Sequence, residues 1–247
     1  MANAEAGEIQ NGLDSGKGKI YERGFYEYGD ELGKGAKDLD EFLGEYDVLD
    51  LGAGRGKFAI DIELRKLREP EYKGPNVFSL NTRYADEDYK KDWLENFWKP
   101  VLEKESSEEK RALLRRALGK AMATPRQLAY NWDDLEELIA EGRKFKRIVS
   151  CNAFPHYSDF ITETPGDGGV THFSIGEKSK KVFRNIVALM ADAGKGLFTI
   201  DWDAEAGIPP TEFLGEVGEF FASLGVKAQM YRARMENTSY VLDLEKL

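Results

Sequence analysis

The stretch Tyr46-Asp47-Val48-Leu49-Asp50-Leu51-Gly52-Ala53-Gly54-Arg55-Gly56-Lys57-Phe58 decides the fold. Its opening, apolar and rich in Val and Leu, reads as a buried strand. Three glycines at alternate positions follow, and Phe58-Ala59-Ile60-Asp61-Ile62-Glu63-Leu64 resumes at helical spacing. A strand that turns on glycines into a helix brings backbone N–H groups close to a ligand, because no Cβ stands between. Spacing disfavours two turn chemistries. A P-loop needs four residues between its first glycine and Gly-Lys, then Ser or Thr; here three residues separate Gly52 from Gly56-Lys57, and Phe58 follows. A dinucleotide fingerprint wants its third glycine where Lys57 stands.

Asp50-x-Gly52-x-Gly54-x-Gly56 instead resembles motif I of the class I S-adenosylmethionine-dependent methyltransferases. The resemblance implies an α/β, Rossmann-like fold: a mostly parallel seven-stranded sheet, its last strand antiparallel, with helices on both faces. It implies S-adenosyl-L-methionine as cofactor, its methionyl part held by Gly52, Ala53, Gly54 and Gly56. Asp50 would face the cofactor's ammonium, directly or through water.

At 247 residues with 41% hydrophobic side chains, the chain can build one large domain. We expect that domain over residues 20–247, after a small, polar, glycine-containing tail at 1–19 expected to be disordered. The single cysteine, Cys151, excludes a disulfide framework and suits a reducing compartment. No apolar leader or membrane-length run is visible, so a cytoplasmic protein without membrane contact is expected. A formal charge of −10 disfavours sequence-independent nucleic-acid binding, which rests on neutralising phosphates.

Along the chain, the aromatic cluster with Tyr26 and Tyr28 reads either as core packing or as a flap over cofactor and substrate, and Ala36 to Leu43 as a short helix. The helix after Gly56 should stop near Arg68, ahead of Pro70. Asn76-Val77-Phe78-Ser79-Leu80 reads as the second strand. At its end, where the resembling family carries an acid for the ribose hydroxyls, stand Asn81 and Thr82; a neutral amide still accepts a hydrogen bond, or Asp86 or Asp88 reaches back. A helical insertion at about 84–123 follows. It reads as crossover helices with solvated faces or as a cap turning Trp93, Phe97 and Trp98 to the substrate, and its Arg111, Arg115, Arg116 and Lys120 as a water-facing stripe or an anion site. Arg126 to Tyr130 is the third strand, and the resemblance places Asn131 and Trp132 at the adenine, with Asp133 as the alternative acceptor.

Phe145 to Ser150 is the fourth strand, so Cys151, Phe154, His156 and Tyr157 emerge at its carboxyl end, where open α/β sheets bind ligands. That loop lacks the Asn/Asp-Pro-Pro-aromatic signature of enzymes methylating amide or nucleobase amino nitrogens. Thr164 to Gly169 has the composition of a mobile loop, Lys180 to about Ala191 of a helix, Gly196 to Asp201 of the fifth strand and Glu212 to Leu224 of an amphipathic helix. Val226 to Tyr231 and Ser239 to Leu244 close the sheet.

Transfer from a sulfonium is an in-line displacement, leaving the protein to position, desolvate and, for a hydroxyl acceptor, remove a proton. Of His156 and His172, the former sits on the expected active-site loop and is the candidate base. Tyr26, Tyr28, Phe154 and Tyr157 are candidate acceptor contacts. Carboxylates placed for a divalent metal are present after the fifth strand, as Asp201 and Asp203, but not after the fourth, so no metal is expected. The expected function is methyl transfer to an O or N atom of a small molecule; the alternative is a methyltransferase-fold module without catalysis.

Overall fold

The computed structural model describes residues 24–123, 126–130, 135–151, 160–166, 171–201, 208–233 and 239–247. Expectations for the amino-terminal tail, Asn131, Trp132, Asp133, Phe154, His156 and Tyr157 lie outside these residues.

Seven strands form the central sheet: β1 (Asp47–Leu51), β2 (Asn76–Leu80), β3 (Gln127–Leu128), β4 (Phe145–Ser150), β7 (Met190–Asp201), β8 (Val226–Arg232) and β9 (Ser239–Lys246). Between β4 and β7 in the chain, β5 (Ile161–Pro165) and β6 (Thr171–Ile175) make a separate antiparallel hairpin. The sheet order is β3-β2-β1-β4-β7-β9-β8, parallel from β3 through β7, with β9 running antiparallel between β7 and β8.

Strand alternation sorts the core into two layers, since successive side chains point to opposite faces. Leu49, Leu51, Ile148 and Phe198 face one layer with α8 (Glu177–Leu189) and α9 (Thr211–Ser223). Val48, Val77, Val149 and Leu197 face the other, with α1 (Phe25–Glu31), α2 (Ala36–Leu43) and α3 (Lys57–Arg68). The helix after the glycine turn runs from Lys57 to Arg68, ending where the sequence predicts. α7 (Glu136–Ala140) leads into β4.

The insertion packs as an outer layer on α3. A 3-10 turn (Thr82–Ala85) precedes α4 (Glu87–Asp92), whose first amides are capped by Asp86 Oδ1, accepting from Asp88 N at 3.0 Å and Tyr89 N at 3.1 Å. A π-helical turn (Trp93–Trp98) joins α4 to α5 (Lys99–Lys104), with Lys99 N donating to Leu94 O. Pro100, which has no N–H, ends that wide ladder. After Ser107, whose Oγ accepts from Lys110 N at 3.3 Å, α6 (Glu108–Ala121) lies along α3. Trp93 and Trp98 are buried in this layer. Arg111 and Arg115 both pair with Glu108 on α6, so the basic stripe is largely an internal charge lattice.

Three expectations need correction. Thr164 and Pro165, expected in a mobile loop, belong to β5 and pair with His172 and Thr171 of β6, the rest of that loop beyond residue 166 lying outside the described residues; Ile161 and Ile175 bury the hairpin's base in the core, which such a ribbon needs for stability. α8 ends at Leu189, and β7 starts at Met190 rather than Gly196, bending where Ala193 takes a positive φ of 52° and the register with β4 shifts. β3 has two residues, half the predicted length or less.

Candidate functional site

Three left-handed glycines make the turn after β1, with φ of 74° at Gly52, 54° at Gly54 and 71° at Gly56. L side chains avoid this region, so the alternate glycines are a backbone requirement. Gly52 N and Ala53 N both donate to Leu80 O, at 3.0 and 3.1 Å, binding the turn to the end of β2.

Asn81 supplies a second tie. Its Nδ2 donates to Gly54 O at 2.8 Å, and its Oδ1 accepts from Arg83 N at 3.0 Å. The side chain at the expected ribose position thus holds the glycine turn in place. Tyr89, buried, brings its hydroxyl 3.4 Å from the same Gly54 carbonyl. Asp86 is engaged as a helix cap rather than reaching back, and Thr82 is exposed.

Asp50 points to the α3 side of the sheet and is fully buried. Its Oδ1 accepts from the Tyr28 hydroxyl at 2.6 Å, while its Oδ2, also out of contact with water, has no hydrogen-bond partner among the described residues. Burial raises the Asp50 pKa to about 7; the Tyr28 hydrogen bond works in the opposite direction and does not cancel it. Across the ladder Asp50 pairs in register with Ser79, whose buried Oγ likewise has no partner among the described residues. Two neighbouring strands therefore present an unused acceptor and an unused hydroxyl on one face, just ahead of the glycine turn. Sequence reasoning missed Ser79, although its position two residues before Asn81 puts it on that face.

The amino-terminal segment closes over this point. Tyr28 stacks on Phe58, the second residue of α3, with centroids 4.2 Å apart and planes 7° from parallel. Phe25 N donates to Asp61 Oδ2 at 3.0 Å, and Lys57 pairs with Glu27 at 3.1 Å. Gly24 is needed for the approach, since a Cβ there would stand 2.1 Å from Asp61 Oδ2. Asp61 is raised to about 6 by desolvation, which Lys57 and the Phe25 amide only partly offset. Of the two candidate acceptor tyrosines, Tyr28 is thus an internal partner of Asp50, and Tyr26 is 43% exposed. Cys151, one strand over from Asp50, is buried on the same face. His172 is exposed on the hairpin.

No protein-family model matches the chain, and no curated protein matches its sequence. Solved structures resemble it loosely. An rRNA methylase from Streptococcus thermophilus aligns at TM-score 0.44 and 11% identity, over 92% of this chain and 99% of that one. Magnesium protoporphyrin IX methyltransferase from Synechocystis PCC 6803, solved with bound S-adenosylmethionine, aligns at TM-score 0.46 and 11% identity, over 99% and 93%. The antibiotic-resistance methyltransferase Kmr aligns at TM-score 0.46 and 12% identity, over 85% and 93%. The architecture itself is unambiguous. With strand order β3-β2-β1-β4-β7-β9-β8, an antiparallel final strand and a glycine turn leading from β1 into α3, the chain has the fold of the class I S-adenosylmethionine-dependent methyltransferases.

Proposed function

We propose that the chain is an S-adenosylmethionine-dependent methyltransferase acting on an O or N atom of a small molecule. One observation carries this reading: Asp50 Oδ2, buried and without a partner among the described residues, beside a turn of three left-handed glycines. A buried carboxylate oxygen without a partner is costly, and a cationic group delivered to it would relieve that cost. The α-ammonium of S-adenosylmethionine is such a group, and the residues present fit it: Asp50 to take the ammonium, the glycine turn to admit the methionyl part, and Ser79 to add a hydroxyl.

The bound cofactor would supply the electrophilic methyl group. Asp50 would fix its orientation, Tyr28 would hold the Asp50 carboxylate from the other side, and the Asn81 tie would keep the turn rigid. Asn131 and Trp132 are proposed for the adenine and His156 as proton acceptor where the nucleophile is a hydroxyl, all on sequence grounds. A small acceptor in the cytoplasm fits the formal charge of −10, and no helix of the described residues is long and apolar enough to cross a membrane.

A second reading, a binding module without turnover, is favoured by Asn81, whose amide is committed to Gly54 rather than standing as an acid. Calorimetric titration with S-adenosylmethionine and with its demethylated product tests the choice, with Gly54→Asp as a blocked control. Micromolar binding that the control abolishes supports the enzyme reading. A folded chain that binds neither compound overturns it.

A further inference from the structure

The two edges of the sheet differ. β3, at one edge, has two residues, whereas β8, at the other, has seven and pairs only with β9 among the described residues. Leu247 N donates to Gly225 O at 3.0 Å, one step before the Val226–Lys246 register pair. Bonded and unbonded pairs alternate along an antiparallel ladder, so the backbone groups of Ala228 and Met230 point away from β9, where no described strand meets them. Long open edges are usually blunted, because their unpaired N–H and C=O groups template another strand. Here a cleft of about 310 Å³ opens along the edge, between β8 and α9. Leu214, Val217 and Gly218 of α9 form one wall, Ala228 and Met230 the other. Leu214 is 37% exposed, and a Cβ added at Gly218 would meet nothing. By alternation Arg232 leaves β8 on the same face as Ala228 and Met230; it is exposed and has no ion-pair partner among the described residues. Lys227, on the opposite face, stands across the ladder from Glu245.

We propose that β8 accepts an extended segment of another protein as an added strand, the segment carrying two apolar side chains two residues apart and a carboxylate two residues beyond them. In strand addition the main chain supplies affinity, and pockets for alternate side chains supply specificity. The outward backbone of Ala228 and Met230 would take the main-chain bonds. The period of two that sets Ala228, Met230 and Arg232 on one face dictates the same spacing in the segment: apolar, apolar, acidic. The apolar pair enters the cleft beside Leu214 and Gly218, and the carboxylate meets the Arg232 guanidinium. A second copy of β8 fits less well, since Val226-Lys227-Ala228-Gln229-Met230-Tyr231-Arg232 contains no acid to face Arg232. Three strands lie between β8 and β1, so this surface is apart from Asp50 and does not depend on the methyltransferase reading.

The test uses fluorescein-labelled Glu-Thr-Leu-Thr-Leu-Thr-Glu, with a carboxylate at either end to serve both strand directions, and its counterpart Lys-Thr-Leu-Thr-Leu-Thr-Lys. Each is titrated with the full chain by fluorescence anisotropy. The acidic peptide should bind at least about threefold more tightly at low salt, as one exposed ion pair replaces one repulsion. Arg232→Glu should reverse that order. Gly218→Phe, which fills the cleft from a helix position with open space, should weaken the acidic peptide at least about tenfold while leaving the melting temperature within a few degrees. Met230→Pro, which removes an outward N–H that the ladder does not use, should weaken it likewise. No binding of either peptide up to millimolar concentration, equal affinity for the two, or indifference to Gly218→Phe would each overturn the proposal. A concentration-dependent dimer in sedimentation, dispersed by Met230→Pro, would assign the edge to a second copy and overturn it too.

Discussion

The hydroxyl of Tyr28 lies 2.6 Å from Asp50 Oδ1, joining the first helix to the first strand across 22 residues of chain. This contact satisfies one carboxylate oxygen, while the other has no partner among the described residues. Its consequences can be measured separately for stability and for binding.

Asp50→Asn keeps the shape and removes a charge that burial disfavours. At pH 8 the variant should be more stable than wild type by roughly 1–3 kcal/mol, part of the gain being lost to the new amide's unmade bonds. Cofactor affinity should fall at least about tenfold, because the ammonium loses its counter-charge. Chemical denaturation and calorimetry read the two effects; a variant that is stabilised and still binds normally would remove Asp50 from the cofactor site.

The pH dependence follows from the raised pKa. Asp50 has a folded value of about 7 against an unfolded one near 3.9, so the folded state holds the extra proton between those values. Wild-type stability should therefore be highest near the lower end of that window and decline as pH rises toward 7, with Asp61 adding to the decline up to about pH 6. Cofactor affinity should do the reverse, improving from pH 5 to about 7.5 as Asp50 ionises, with proton release visible in buffers of different ionisation enthalpy. A flat affinity profile over that interval would count against the pairing.

Tyr28→Phe removes a hydrogen bond that favours the Asp50 carboxylate. We expect a loss of about 1.5–3 kcal/mol at neutral pH, the range for hydrogen bonds to charged groups. The affinity profile should also shift toward higher pH, because Asp50 will ionise later. A stability loss with no such shift would mean that Tyr28 serves packing alone.

Away from the site, Glu63 is buried at 3% exposure between Arg126, at 2.6 Å, and Lys66, at 3.1 Å. Burial alone would raise its pKa, but the Arg126 hydrogen bond and Lys66 prevail and lower it. Arg126→Met should cost about 3 kcal/mol by leaving that acid under-compensated. The loss should be largest above the normal Glu range and shrink as pH falls and Glu63 protonates, in both respects opposite to Asp50.

How much of this was legible in the sequence depends on range along the chain. β1, the glycine turn and α3 are consecutive, and alternation, turn chemistry and helical period each left a mark; the helices 36–43 and 57–68 have the bounds their spacing predicts. The β5–β6 hairpin was not visible because only its base, Ile161 and Ile175, is fully buried, while Thr162, Glu163 and Thr164 carry no inward-facing apolar residue. The early start of β7 was hidden by Ala191-Asp192-Ala193-Gly194, which lacks β-branched residues and joins the sheet through a register shift. In the site, Asp50 and the glycines were legible as a motif. The roles of Tyr28 and Asn81 were not, since each depends on a partner more than twenty residues away.

The π-helical turn gives the insertion a phase. Trp93 and Trp98 are five residues apart, and on a regular α-helix such positions diverge by roughly 140° around the axis. A step of five nearly closes on itself when the ladder runs i to i+5, so both indoles are buried in one cluster with Phe58, Ile62 and Leu64 of α3. Deleting one residue from Leu94–Phe97 would let the helix bond more regularly, yet it would turn Trp98, Val101 and the rest of α5 away from their present partners. The wide turn works as an angular offset in the helix, and the face that α5 shows to α3 is set by one residue more than an ordinary helix would use.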